Sequence, residues 1–312
     1  MSTRNGFGLL FAAAVSLAIV PFFLSNGHMR GLAVVGTDTI AILGLSQLLA
    51  LSGRVSLGQG AFMALGGYTT AVLCVDHGVG EVWTIPAAGG VAGAAGLVAG
   101  LVGLRLGSLS FGVVTLGAAL VVPQLALKFD GLTGGGAGLS VPDRPFNVWQ
   151  AYAVTWGVAG GLFLLAWWVA RSRFGRGLRA VRDNPVVAAA GGVNRGAYAV
   201  ASAGLSAVYG GVAGSLLVVN LGHVQPGMFP LRLSLLLLAG AAVAGLGSVW
   251  GAPVAALLVG YLTDLTGVLP HIGKHRPGPT TFLFGAAVIV LVVGRGLAAA
   301  VADHGRAKRV GR

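Results

Sequence analysis

The side chains that could do chemistry are few. Eight acids serve 312 residues, and no paired carboxylates, nucleophile–base set or HExxH helix occurs among them. Gly273-Lys274 is followed by His275 rather than Ser or Thr, so there is no phosphate loop of the Walker type. His271 and His275 are four apart, but Pro270, Gly273 and Pro277 break the helix that would bring both to one metal. The glycine clusters at 134–138 and 245–251 neither follow a strand nor open a soluble βαβ unit, which excludes a dinucleotide site. The single cysteine, Cys74, sits in an apolar run and makes no disulfide or cysteine metal site. The chain is read as non-catalytic, with no metal and no cofactor of its own. Two acids fall inside apolar stretches, Asp38 and Asp264. Membrane-buried charge is how ion-driven carriers and channels work, yet neither acid has an evident partner in the sequence. A cap or an interhelical hydrogen bond is the simpler use.

The remaining chemistry is recognition, and it concentrates between Arg171 and Arg195. Phe174, Leu178 and Val181 follow helical spacing and mark one apolar face, with arginines mainly on the other. That segment could lie on anionic headgroups. Asp183-Asn184-Pro185 then reads as a helix start, with Asn184 at the N-cap and Pro185 in the first turn. Val186 to Ala190 form a short helix, and Gly191-Gly192 stop it. A capped helix of one to two turns in a loop is built like a knob for another protein's cleft. Its Ala188 offers a small-residue face to such a cleft.

The elements that must hold this loop are membrane spans. Hydrophobic residues make up 55% and charged residues 9% of the chain, against about a quarter charged in soluble domains. Apolar runs near the ~20 residues needed to cross a bilayer recur at 8–26, 33–51, 57–75, 83–104, 109–128, 150–170, 197–220, 231–248, 252–270 and 279–299. The fold class is therefore all-α, a polytopic bundle of about ten helices, with 1–312 as one transmembrane domain and 171–195 as a loop within it. The first run resembles a secretory signal behind Arg4, but it lacks a small-x-small cleavage site and reads as an uncleaved helix. Runs 57–75 and 231–248 are short and broken by glycine. Irregular backbone at that depth needs protein or a water-filled cavity around it.

Basic residues set the orientation. With both termini inside, the cytoplasmic segments hold 14 of the 20 basic residues, and the outer segments hold Arg30, Lys128, Arg144, Arg232, Lys274 and Arg276. The same bias accounts for the net charge of +12 without a nucleic-acid surface. Glycine is plentiful at 54 residues, and Gly89, Gly93, Gly96, Gly100 and Gly103 form a stripe, which Gly210 and Gly214 repeat. Such stripes let backbones approach closely.

Three blocks carry a resemblance. They are Arg173-Phe174-Gly175-Arg176 through Leu178–Asn184 to Gly192-Val193-Asn194; Gly53–Phe62 running on through Gly66-Gly67-Tyr68-Thr69; and a late set. The late set is Thr115-Leu116, Leu132–Gly135, Gly138-Leu139 and Gly245–Gly251. In this order, over about 31 to 299, the chain resembles permease subunits of branched-chain amino acid ABC importers. The resemblance implies a fold similar to that of the cobalamin importer and a bacterial plasma-membrane location. It also implies a second related permease subunit, two ATPase subunits that bind ATP and Mg, and an extracytoplasmic binding protein. Pro185 to Ala190 would be the coupling helix. Arg176, Arg179, Arg182, Asp183, Asn184, Pro185, Ala188, Ala189, Gly192 and Asn194 would couple to the ATPase. Ser56, Gln59, Tyr68 and Thr115 would line the path, and Arg144, Lys274 and Arg276 would meet the binding protein. The family often carries glutamine at Arg54 and histidine at Gln59, and acids at Pro185 and Ala189. Their loss leaves open an altered docking surface, a different ligand or impaired coupling. Other readings are a same-fold permease for urea, an amide or a sugar, a carrier or channel using Asp38 or Asp264, and a non-transporting scaffold.

Overall fold

The computed structural model describes residues 26–106, 110–141 and 146–244, with residues 252, 255 and 256 besides. The expected run 279–299, nearly all of 8–26 and of 252–270, Asp264, Arg144, Lys274, Arg276 and the 245–251 block lie outside these except at those isolated positions. The described elements are α1 (Asn26–Ser52), α2 (Gln59–His77), α3 (Glu81–Leu106), α4 (Ser110–Lys128), α5 (Asp130–Thr133), β1 (Leu139–Ser140), α6 (Val148–Arg171), α7 (Arg173–Asp183), α8 (Pro185–Ala190), α9 (Arg195–Leu221), β2 (His223–Val224) and α10 (Leu231–Ala244). Five helices, α1, α3, α4, α6 and α9, are long and apolar enough to cross a bilayer.

Helix α9 is the centre of the bundle. Small residues make this possible, because α1, α2 and α3 all approach its backbone. A Cβ on Gly214 would lie 1.9 Å from the Met63 carbonyl oxygen, and one on Gly66 2.0 Å from that of Gly211. The α3 stripe packs on the same helix: a Cβ on Gly96 would meet the Ala207 Cβ at 2.3 Å, and Gly89, Gly93 and Gly100 also face α9. Gly103 faces Phe111 of α4 instead. In lipid, where burial of apolar surface gives no drive between helices, such close backbone packing supplies the attraction.

The spans alternate in direction. At one end Arg182 of α7 donates to the Ala50 carbonyl of α1, and Leu104 of α3 lies 3.3 Å from where a Cβ on Gly196 would sit. Arg54, Arg105 and the arginines of 171–195 thus share an end. At the other end β1 and β2 pair antiparallel, Leu139 with Val224, and Arg30, Asn147 and Asn220 line one pocket.

The two short runs give helices that begin inside the bundle. Gly53 ends α1 at φ +67, a conformation cheap for glycine. The chain then climbs without helix back into the bundle. The Leu57 N–H donates to Thr115 Oγ1 at 3.0 Å, and a Cβ on Gly58 would sit 2.7 Å from the Thr115 carbonyl oxygen. Helix α2 starts at Gln59, whose Nε2 donates to the carbonyls of Ala41 at 3.1 Å and Ser206 at 3.4 Å. Ala41 is eleven residues before the end of α1 and Ser206 eleven after the start of α9. At 1.5 Å per residue each is about 16 Å along its helix, half of a ~30 Å core. From the opposite end, the chain beyond β2 descends through a 3₁₀ turn at Pro226–Met228. Phe229 packs on Gly67, and the Gly60 N–H donates to Ser234 Oγ of α10 at 2.9 Å. The starts of α2 and α10 therefore meet near mid-depth, where the Ser234 hydroxyl accepts a backbone N–H that α2 leaves open at its start.

Candidate functional site

The loop expected at 171–195 folds as an elbow of two helices. Ser172 caps α7, its Oγ accepting from the Gly175 N–H at 3.2 Å. Leu178 is buried with Leu51 and Val169, and Phe174 stacks on Tyr198 at 5.2 Å. These apolar contacts press α7 against the ends of α1, α6 and α9. The arginines then act on helix ends. Arg176 Nη1 donates to the Arg171 carbonyl at 2.7 Å and Arg179 Nη2 to the Ala170 carbonyl at 2.8 Å, both at the C-terminus of α6. Arg182 reaches the Ala50 carbonyl near the C-terminus of α1 while pairing with Asp183 at 2.8 Å. Each guanidinium meets carbonyls that their own helix leaves unpaired, at its negative end. Arg176, Arg179 and Arg182 thus fasten α7 to the ends of α6 and α1.

Beyond the fasteners stands the knob. Asn184 Oδ1 accepts from the N–H groups of Val186 and Val187 at 3.1 and 3.2 Å, with Pro185 in the first turn of α8. Gly191 caps the other end, Gly192 follows at φ +78, and Val193 N–H donates to the Ala188 carbonyl at 3.0 Å. Asn194 Oδ1 caps α9 through the Ala197 N–H at 3.1 Å. The orientation differs from the sequence reading at one residue. Ala188 is 5% exposed and turns inward, so it offers no face to another protein. Val186 and Val187 stand outward at 76% and 65% exposure, with Ala189 exposed beside them. Two bare valines on a polar loop were a legible signal that the sequence reading passed over.

The expected path residues separate. Ser56, Gln59 and Thr115 are all 1% exposed or less, at the crossings of α1, α2, α4 and α9. Among the described residues Gln59 Oε1 has no hydrogen-bond partner, nor does Ser206 Oγ. Tyr68 differs. With Leu65, Thr69, Leu73, Val122 and Thr133 it lines an apolar cleft of about 390 Å³ between α2 and α4–α5, and its hydroxyl has no hydrogen-bond partner among the described residues.

Residues 29–293 match the model of a family described as branched-chain amino acid transport system / permease component. The chain belongs to that family. The match takes in the elbow and both helices that begin inside the bundle. It is also 30% identical to the high-affinity branched-chain amino acid transport system permease protein LivM of Escherichia coli (strain K12), over 80% of this chain and 66% of that protein. The LivM protein of Salmonella typhimurium (strain LT2) gives the same identity and shares. The permease thus spans just under two thirds of the length of these relatives. No solved structure matches. With five apolar spanning helices and this family, it is a multi-pass membrane protein.

Proposed function

We propose that this permease is a transmembrane subunit of an ABC importer for branched-chain or related amino acids, forming half of the path and hydrolysing no ATP itself. The observation that supports this most is α8. It is a capped knob with two outward valines, fastened by arginines to the ends of two spans. Motion of a partner seated on it would pass directly to α1 and α6. The partners of this reading are a second related permease, two ATPases that carry ATP and Mg, and an extracytoplasmic binding protein docking near Arg144, Lys274 and Arg276. The fold reading is that of the cobalamin importer type, in one domain, in a bacterial inner membrane with both termini cytoplasmic.

The path of this proposal follows the Tyr68 cleft down to the meeting of α2 and α10. Short, interrupted helices are where transporters hold their cargo. An apolar lining with few hydroxyls favours an aliphatic side chain over urea or a sugar. Reconstitution with the ATPase and binding protein tests it. Uptake of labelled leucine, isoleucine or valine should require ATP, and ATP-independent uptake driven by an ion gradient would sink the reading.

A further inference from the structure

The end of the bundle that carries the elbow also holds a pocket of about 230 Å³. It lies between the turn after α1, helix α7 and the start of α9, lined by Gly53, Arg54, Leu178, Arg182, Pro185 and Arg195 among others. Arg182 is occupied by Asp183 and the Ala50 carbonyl. Arg54 and Arg195 have no acceptor among the described residues. Arg54 Nη1 is buried without a hydrogen bond, and its guanidinium stands over the Phe111 ring, 5.5 Å from the centroid. Burial first, then the like charge of Arg195, pushes Arg54 below its ordinary value. Two like charges with an orphaned buried donor cost free energy as they stand. An anion between them removes the repulsion and satisfies the donor. Arg195 also opens α9, so the positive end of that helix adds to the field.

We propose that this pocket holds the phosphate of an anionic phospholipid. Depth argues for a lipid over an acidic side chain of a protein. On the side nearest the bundle the pocket is walled by the last residue of α1, Ser52, and the second turn of α9 at Ala199, the level where spans end and headgroups begin. The outward valines of α8 stand apart from it, since neither lines the pocket. Val55, next to Arg54, leaves its apolar side chain exposed, as an acyl chain requires. Basic pockets between helices on the cytoplasmic side hold anionic headgroups in this way.

Native mass spectrometry of the full chain, purified in mild detergent and titrated with short-chain phosphatidylglycerol, phosphatidylcholine or inorganic phosphate, tests the site. Phosphatidylglycerol should bind in preference to phosphatidylcholine. Each arginine contributes about fivefold near such a headgroup, so Arg54→Gln with Arg195→Gln should weaken binding by about 30-fold. Arg173→Gln, outside the pocket, should not change it. Melting curves of the same variants with and without lipid guard against misfolding: the double variant should melt cooperatively but lose the lipid-dependent rise. Equal binding of inorganic phosphate would make it a solute site and overturn the lipid assignment. Undiminished phosphatidylglycerol binding by the double variant would overturn it too. So would lipid binding that persists while ATPase co-purification is lost, because the pocket would then receive a protein acid.

Discussion

Gly214→Ala should unfold the bundle more easily than any change of one methyl at an open position. The new Cβ would lie 1.9 Å from the Met63 carbonyl oxygen and 2.7 Å from its Cα, about 1.5 Å short of the 3.4 Å at which ordinary contact begins. Both obstacles are backbone, so no rotamer change relieves them. Helices α2 and α9 must separate, and overpacking of this kind costs ~1–3 kcal/mol. Gly90→Ala is the control, since nothing lies within 4 Å of its Cβ. There alanine's better helix propensity should stabilise by up to ~1 kcal/mol. Gly96→Ala should fall nearer Gly214→Ala, because its obstacle at 2.3 Å is the Ala207 Cβ, which is equally fixed. Thermal melting of the purified permease, followed by size-exclusion recovery, reads the order directly. Equal melting of Gly214→Ala and Gly90→Ala would refute the claim that α2 and α9 touch backbone to backbone.

Asn184→Ala removes one cap serving two N–H groups, worth ~1 kcal/mol, so the Val186 and Val187 amides should exchange hydrogen several-fold faster while expression is unchanged. Unaltered exchange would remove the cap from the account. For topology, in a Cys74→Ser background, a reagent that cannot cross the membrane should label Gly136→Cys in intact cells and miss Ala189→Cys; the opposite pattern reverses the orientation. Reversing Arg144 and Arg276 to Glu should weaken binding-protein stimulation of ATP hydrolysis, more at low salt than at high. Stimulation unchanged at both salt levels would exclude these arginines from docking.

What was legible in the sequence was local or periodic. Asn184-Pro185 and Gly191-Gly192 specify a start and a stop through their own backbone preferences, and α8 lies between them. The α3 glycines declared a face by spacing alone, and α9 fills it. Gly58 marked where α2 begins inside the bundle. Direction was not legible. Six small apolar residues have no polar side to orient them, so Ala188 was assigned outward, whereas the burial of α7 under Tyr198 and Leu51 turns it in. The arginines read as a docking or lipid-facing surface because their acceptors, the carbonyls of Arg171, Ala170 and Ala50, carry no sequence signature. Ser56, Gln59 and Thr115 are polar in the same way whether they lock a helix crossing or line a path. Gln59 reaches carbonyls of α1 and α9, and Thr115 takes the Leu57 N–H; those partners too carry no sequence signature.

In the proposed importer α8 is the seat of a separate ATPase. Val187→Arg tests it most directly, since that side chain is 65% exposed and makes room for arginine without disturbing the permease. The measurement is ATPase retained per permease after co-expression and affinity purification, beside the level and melting behaviour of the permease itself. Val187→Arg should lose the ATPase while the permease accumulates and melts as before. Full retention of the ATPase by Val187→Arg would contradict it.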